Sequence, residues 1–425
     1  MESVMNFVIE IIREPAIFLG LIALLGLLLL RKDFSTIVSG TAKTVIGVVI
    51  LTQGTNILVS SIEPLTAGFN LMYDIQESEV NPAMGSDQVL SQYGTQIGIA
   101  MLVAFAINLL VARFTKIKHV FLTGHMLFWF PFVFVAIGVE NNLGNTQMII
   151  FASIMTALYI IIAPALLRPF VRKVTGSDDF IIGHPTTILS LISAGVGKLF
   201  GNKGKSSEDI KFPKSTEFLR EISITSSITM FLVYLVVSII IGFNTATTTF
   251  GAEQNIVIYS LMQGVLFGAG LTILLLGVRM MLAEIIPAFQ GISQKWIPNA
   301  VPALDAPILF PYAPNAVLIG FIVSMITSVA TIFITGSLGV FSFVIVPLTI
   351  TCFFEIGTAA IIGNGTGGLK GAIGGSAVAG VVMILLVGLS VPVLNGTIAD
   401  WIVIFGGNDF SLWSFIGDWI AKIFG

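Results

Sequence analysis

The sequence predicts an all-α protein that crosses a membrane ten or eleven times, in two five-helix halves of inverted orientation. Three observations predict it. Of 425 residues, 55% are hydrophobic and only 10% charged, whereas a soluble domain carries about 25% charged residues to face water. Apolar blocks recur near the length of about 20 residues that a spanning helix needs. Glycines, prolines and asparagines also recur in the same order in both halves.

The blocks fall at 16–30, 44–62, 95–112, 119–137, 148–167, 222–243, 257–278, 315–334, 337–354 and 370–394. The first ends in Arg31-Lys32 with no small-residue cleavage site after it, and reads as a retained anchor. Arg31, Lys32 and Lys43 separate blocks one and two; Arg113, Lys116 and Lys118 separate three and four. Nine more basic residues lie from Arg168 to Arg220, and Arg279, Lys295 and Lys370 fall in alternate connections of the second half. One face thus holds 18 of the 20 basic residues, leaving Arg13 and Lys422. The opposite connections carry Asp74, Glu77, Glu79, Asp87, Glu140 and Glu253. The basic face is predicted to be cytoplasmic and the N-terminus outside.

Past residue 395, Asp400, Gly406, Gly407, Asn408 and Asp409 interrupt the chain, and Ser411 to Phe424 is too short to span. Trp413, Trp419 and Lys422 suit an interfacial helix; an eleventh, tilted span starting before the glycines is the alternative. The predicted layout is therefore a first repeat at 1–168, a cytoplasmic loop with a re-entrant hairpin at 169–221, a second repeat at 222–395, and a C-terminal segment at 396–425. The lone Cys352 lies inside a block, so no intrachain disulfide exists and a cysteine-ligated metal is not expected.

The repeat is carried by Gly54, Pro64 and Gly68, which return as Gly277, Pro287 and Gly291, displaced by 223 residues. Tyr93 returns as Tyr312, and Ile137-Gly138 with Leu143-Gly144-Asn145 returns as Ile356-Gly357 with Ile362-Gly363-Asn364, displaced by 219. Five spans per half is an odd number, so the halves enter from opposite sides. That arrangement suits alternating access.

Four places break the helical pattern, and non-helical backbone at membrane depth is tolerated only beside protein or a polar cavity. Gly54-Thr55-Asn56, beside Thr52 and Gln53, suits a sugar or polyol, or else a Gly/Thr helix-packing contact. Thr123-Gly124-His125 places a histidine just inside block four, where it is costly and marks function, or where a neighbouring carbonyl satisfies it. Ile181-Ile182-Gly183-His184-Pro185-Thr186-Thr187 and the apolar stretch to Val196 form a re-entrant hairpin or a cytoplasmic loop. Pro302-Ala303-Leu304-Asp305-Ala306-Pro307 and Pro311-Tyr312-Ala313-Pro314-Asn315 hold four prolines in thirteen residues, which forbids a continuous helix. Asp305 there needs a donor, such as a substrate hydroxyl or a histidine. Glu284 and Glu355 are expected to be structural partners of Arg279 or of helix N-termini. No nucleotide, zinc or nucleophile-elbow motif is present.

Several stretches are similar to a known family: Leu30-Arg31-Lys32 through Gly47, Leu122-Thr123-Gly124-His125, Ser207-Glu208-Asp209-Ile210-Lys211-Phe212-Pro213, Gly277-Val278-Arg279-Met280, Gly291-Ile292-Ser293-Gln294-Lys295 and Ala313-Pro314-Asn315-Ala316-Val317. From about residue 16 to 395 the chain resembles the ascorbate-specific membrane subunit (enzyme IIC) of the bacterial phosphotransferase system, in the ascorbate/galactitol superfamily. The resemblance implies an elevator-type transporter in the bacterial plasma membrane, a homodimer among membrane lipids with a dimerising scaffold and a mobile core. It implies movement of L-ascorbate, or a related sugar acid or polyol, to a soluble IIB protein bearing a phosphocysteine, itself supplied by IIA. Substrate contacts carry over to Gly54, Thr55, His184 and Asp305, with His125 opening the adjoining motif. The family's ascorbate-binding members have glutamine at Trp129 and Pro185 and a tyrosine near Ala83. No catalytic residue, cofactor, metal or nucleic-acid partner is expected. An ion-coupled secondary transporter of a small polar substrate is the alternative.

Overall fold

A chain inside a bilayer must pair every backbone N–H with its own carbonyls, so uninterrupted apolar runs become long helices. The computed structural model of the chain describes residues 14–72, 83–202, 204–211, 218, 221–343, 345 and 347–424. Arg13, Asp74, Glu77, Glu79, Lys203, Lys214 and Arg220 lie outside the described residues, as do the side chains of Thr55, Glu284, Pro287 and 288–295.

In chain order the helices are α1 (Pro15–Leu29), α2 (Phe34–Met72), α3 (Ser86–Phe114), α4 (Gly124–Glu140), α5 (Asn145–Thr175), α6 (Thr187–Phe200) and α7 (Ile222–Ile241). They continue with α8 (Phe243–Thr249), α9 (Ile256–Trp296), α10 (Pro314–Ser337), α11 (Gly357–Ser390), α12 (Ala399–Phe405) and α13 (Asp409–Phe424). Among the described residues, seven helical stretches are long and apolar enough to cross a membrane. The apolar blocks of the sequence number ten. The difference has a simple physical origin: α1 has 15 residues and α4 has 17, and the last two blocks form one helical stretch, Thr349–Leu394. The ninth block itself is displaced. Most of 338–348 is irregular, and helix resumes at Thr349.

That last stretch is two arms. Gly363 and Gly371 are eight residues apart, which in a straight helix is about 12 Å, yet a Cβ on Gly363 would lie 2.6 Å from the Gly371 carbonyl oxygen. The chain doubles back at Gly368, whose φ is 63°. Its backbone lies against the carbonyls of Asn202 and Lys205, and Leu369 donates its N–H to Lys205.

The helices pack chiefly in two groups. One joins α1 and α2 of the first half to α7, α8 and α9 of the second; the other joins α3–α6 to α10–α13. Each half contributes its leading helices to one group and the remainder to the other. Within the first group α2 crosses α9 at Gly54, where a Cβ would meet the backbone of Leu274 and Gly270. Gly54 is thus inside a continuous helix, not at a break.

One feature has no counterpart among the sequence expectations: a small buried sheet. Strands β1 (His119–Phe121), β2 (Ile181–Ile182) and β3 (Val301–Leu304) run in the order β1-β3-β2 with both pairings parallel. Its register sets His119 opposite Val301 and Ile182 opposite Leu304. Phe121, Phe130, Phe132, Phe134, Phe151 and Tyr159 fill the core around it, each fully buried.

Candidate functional site

Parallel strands deliver the residues just past their C-terminal ends to one edge of the sheet, as in other open parallel sheets. Here β1 leads into Thr123-Gly124-His125, β2 into Gly183-His184, and β3 directly into Asp305. The ladder continues past the strand ends: Leu122 N–H donates to the Ala303 carbonyl at 2.9 Å, and Gly183 N–H to that of Leu304 at 2.7 Å. Three segments far apart in sequence therefore converge with fixed spacing.

His184 and Asp305 are almost wholly buried, and His125 is partly so. The Nδ1 atom of His184 lies 2.7 Å from Asp305 Oδ1, and Nε2 of His125 lies 3.9 Å from Oδ2. Neither ring nitrogen of His184 has a well-directed hydrogen bond, so its contact with Asp305 is a close approach that becomes an ion pair when the imidazole is protonated. A group at that separation from a carboxylate is attractive only with a proton on it. Asp305 also accepts the N–H of Ala306 at 2.9 Å, starting the 3₁₀ turn Ala306–Tyr312. The two imidazoles meet edge to face, 6.3 Å between ring centres.

On its far side His184 faces Glu355, with Nε2 3.6 Å from Oε1. Glu355 sits in a π-helical turn, Cys352–Ile356, a backbone form frequent at functional sites. This corrects the expectation of Arg279 or a helix N-terminus as the partner of Glu355: its carboxylate faces the side chains of His184 and Asn408. The opposite oxygen, Oε2, is buried without a hydrogen bond.

Asn408 and Asp409, which in the sequence only interrupt an apolar run, are buried behind the same loop. Asn408 donates its amide to Glu355 Oε1 at 2.8 Å. Asp409 accepts the N–H groups of Thr187 and Ile188 at 2.9 and 2.8 Å and the Tyr159 hydroxyl at 3.0 Å. Its carboxylate thus caps α6 and begins α13, where two helix N-termini stabilise an anion without a basic side chain. Tyr159 donates also to the His184 carbonyl at 3.2 Å. A Gly-Gly-Asn-Asp turn between apolar runs is a visible signal; its partners, 222 and 221 residues away, are not.

The ligand atoms of His125, His184 and Asp305 all lie within 4.8 Å of one another, a set that a metal ion could use. An ion with bonds of about 2.1 Å keeps its ligand atoms roughly 3 Å or more apart. The 2.7 Å between His184 Nδ1 and Asp305 Oδ1 is too short for two ligands of one such ion. Of the remaining predicted positions, Gly54 lies in the other helix group, against Leu274, and the Thr55 side chain lies outside the described residues. Trp129 packs against Trp401 at 5.1 Å and Phe405 at 6.5 Å, joining α4 to α12.

A family profile described as "PTS system sugar-specific permease component" matches residues 10–409. A Mycoplasma pneumoniae protein named "Ascorbate-specific PTS system EIIC component" is 28% identical over 416 residues, covering 85% of this chain. The chain spans 62% of that relative's length.

Proposed function

This chain belongs to the family of phosphotransferase-system sugar-specific permease components, and from that premise we propose that it is the membrane-embedded translocation subunit for L-ascorbate or a related sugar acid or polyol. The observation that carries the reading is the convergence of His125, His184 and Asp305 at one edge of a buried parallel sheet. A carboxylate accepts from substrate hydroxyls, and two imidazoles donate or accept as their protons allow. Buried polar groups of this kind favour a ligand that satisfies them and reject one that leaves them unpaired.

In this reading the group α3–α6 with α10–α13 carries substrate, and the group α1, α2 and α7–α9 is the scaffold on which it slides and through which two copies dimerise. Gly54, packed within the scaffold at the α2–α9 crossing, and Thr55 next to it in sequence are the scaffold's proposed contribution. The two sequence repeats are inverted, each supplying helices to both groups. The chain supplies binding and movement; phosphorylation of the substrate, by transfer from a IIB phosphocysteine, belongs to the partner. Its setting is a bacterial plasma membrane with the N-terminus outside. Trp129 and Pro185 stand where ascorbate-binding relatives have glutamine, which widens the substrate class to related polyols.

The test is binding of purified protein to L-ascorbate, galactitol and common hexoses, followed by vesicle uptake with and without IIB and phosphorylated IIA. The expected result is phosphorylated product only when the partners are present. Tight binding of another member of the panel with none of ascorbate would replace the substrate. Accumulation by the chain alone, driven by an ion gradient, would overturn the mechanism.

A further inference from the structure

The His184 loop is held from behind by residues distant in sequence, and the way it is held is specific. Two arms reach it from the turn Gly406–Asp409. Through one, Asn408 donates to Glu355 Oε1, the oxygen that faces His184 Nε2. Through the other, Asp409 takes the N–H groups of Thr187 and Ile188, while its own N–H donates to the Pro185 carbonyl at 3.2 Å. Glu355 is tied to the loop a second time, since Thr186 Oγ1 donates to its backbone carbonyl at 2.7 Å. The loop Gly183–Thr187 has no regular ladder beyond Gly183, so these bonds define its shape.

We propose that the turn Gly406–Asp409 is a built part of the substrate site, in which Asn408 and Asp409 are positioning residues that set the ring and backbone of His184. The proposal rests on the reading of His184 as a substrate contact. Asn408 occupies one lone pair of Glu355 Oε1 and so fixes which way that carboxylate turns toward the imidazole. Asp409 fixes where the loop begins α6, and with it the direction of the His184 Cα–Cβ bond. Gly407, with φ 77°, lies against the Met383 carbonyl and the Leu348 side chain, close enough that a Cβ would clash. A side chain at Gly407 would therefore push the turn away from α11.

The chain has three histidines, so full-length protein with histidine-selective isotope labelling gives three imidazole signals in detergent or nanodiscs, and no ligand is required. His125→Gln assigns one signal by its loss. His119, bonded through Nε2 to the Ile161 carbonyl at 2.7 Å, serves as internal control. In Asn408→Ala the His184 side-chain nitrogen signal is expected to move by more than its linewidth while the His119 signal stays. In Asp409→Asn, which cannot accept both backbone N–H groups, the His184 signal is expected to broaden or split. His184 signals unchanged in both variants, with His119 unchanged, would overturn the proposal. If Asp409→Asn does not fold, Asn408→Ala alone decides: it removes the Asn408 bonds to Glu355, Phe405 and Phe410 but keeps the Asp409 carboxylate that accepts from Thr187 and Ile188. Failure of ascorbate binding in the native protein would bear on the proposed function and not on this result.

Discussion

At Asp305 a single side chain has three obligations: it faces His184 at 2.7 Å and His125 at 3.9 Å, and it starts a 3₁₀ turn. Asp305→Asn keeps the shape and removes the charge. A hydrogen bond to a charged group is worth about 1.5–3 kcal/mol, so titration with the preferred substrate is expected to weaken roughly 10- to 100-fold. Unchanged affinity would remove Asp305 from the site. Glu208 makes a different kind of contribution: its carboxylate accepts the N–H groups of Asn315 and Ala316, at 3.3 and 3.0 Å, at the start of α10. Glu208→Ala is expected to lower thermal stability by about 1 kcal/mol, as loss of a helix cap does, while leaving substrate affinity near normal. On the surface, Asp33 accepts from both the N–H and the hydroxyl of Thr36, at 3.0 and 2.5 Å, which holds its carboxyl below the usual range.

Elements show which signals a sequence carries. The Gly-His-Pro turn and the four-proline run are readable as breaks because proline cannot continue an α-helix; in the fold the first is a loop, and the second is a strand and a 3₁₀ turn that end where α10 begins at Pro314. The sheet is not readable. Strands of two to four residues hold no detectable period, and His119-Val120-Phe121 merges into the apolar block behind it. Gly54 reads from sequence as either a substrate contact or a packing contact; the structure places it at a tight α2–α9 crossing. The role of Glu355 is hidden from local pattern because its partners, His184 and Asn408, are 171 and 53 residues away. Gly368 tests the double-back of α11. A side chain there meets the Asn202 and Lys205 carbonyls and must take φ 63°, ψ −157°, a region essentially confined to glycine that costs about 1–3 kcal/mol. Gly368→Ala is expected to reduce folded yield and melting temperature; a normal melting curve would contradict the hairpin.

For the whole molecule, charge partition and helix grouping make separate statements. The partition predicts sidedness. In a Cys352→Ser background, Lys205→Cys and Lys370→Cys, both exposed, are expected to react only with membrane-permeant maleimides in intact cells. Glu253→Cys, also exposed, is expected to react with impermeant reagent from outside. The reverse pattern would invert the topology. The grouping cannot be drawn from a linear sequence, because each group interleaves both halves: α1 and α2 pack with α7–α9, and α3–α6 with α10–α13.

The parallel sheet has one more consequence, for the lengths this chain can tolerate. His125, His184 and Asp305 stand four, two and one residues beyond their strands, and those short spacers act as rulers. Insertions between Asn141 and Asn145 lengthen a connection without touching the rulers. One residue added between Phe121 and His125, or between Leu304 and Asp305, slides a single member of the trio along the sheet edge while the others stay. Descendants of this chain can therefore grow in their loops, whereas the few residues after each strand admit substitution but not a change in number.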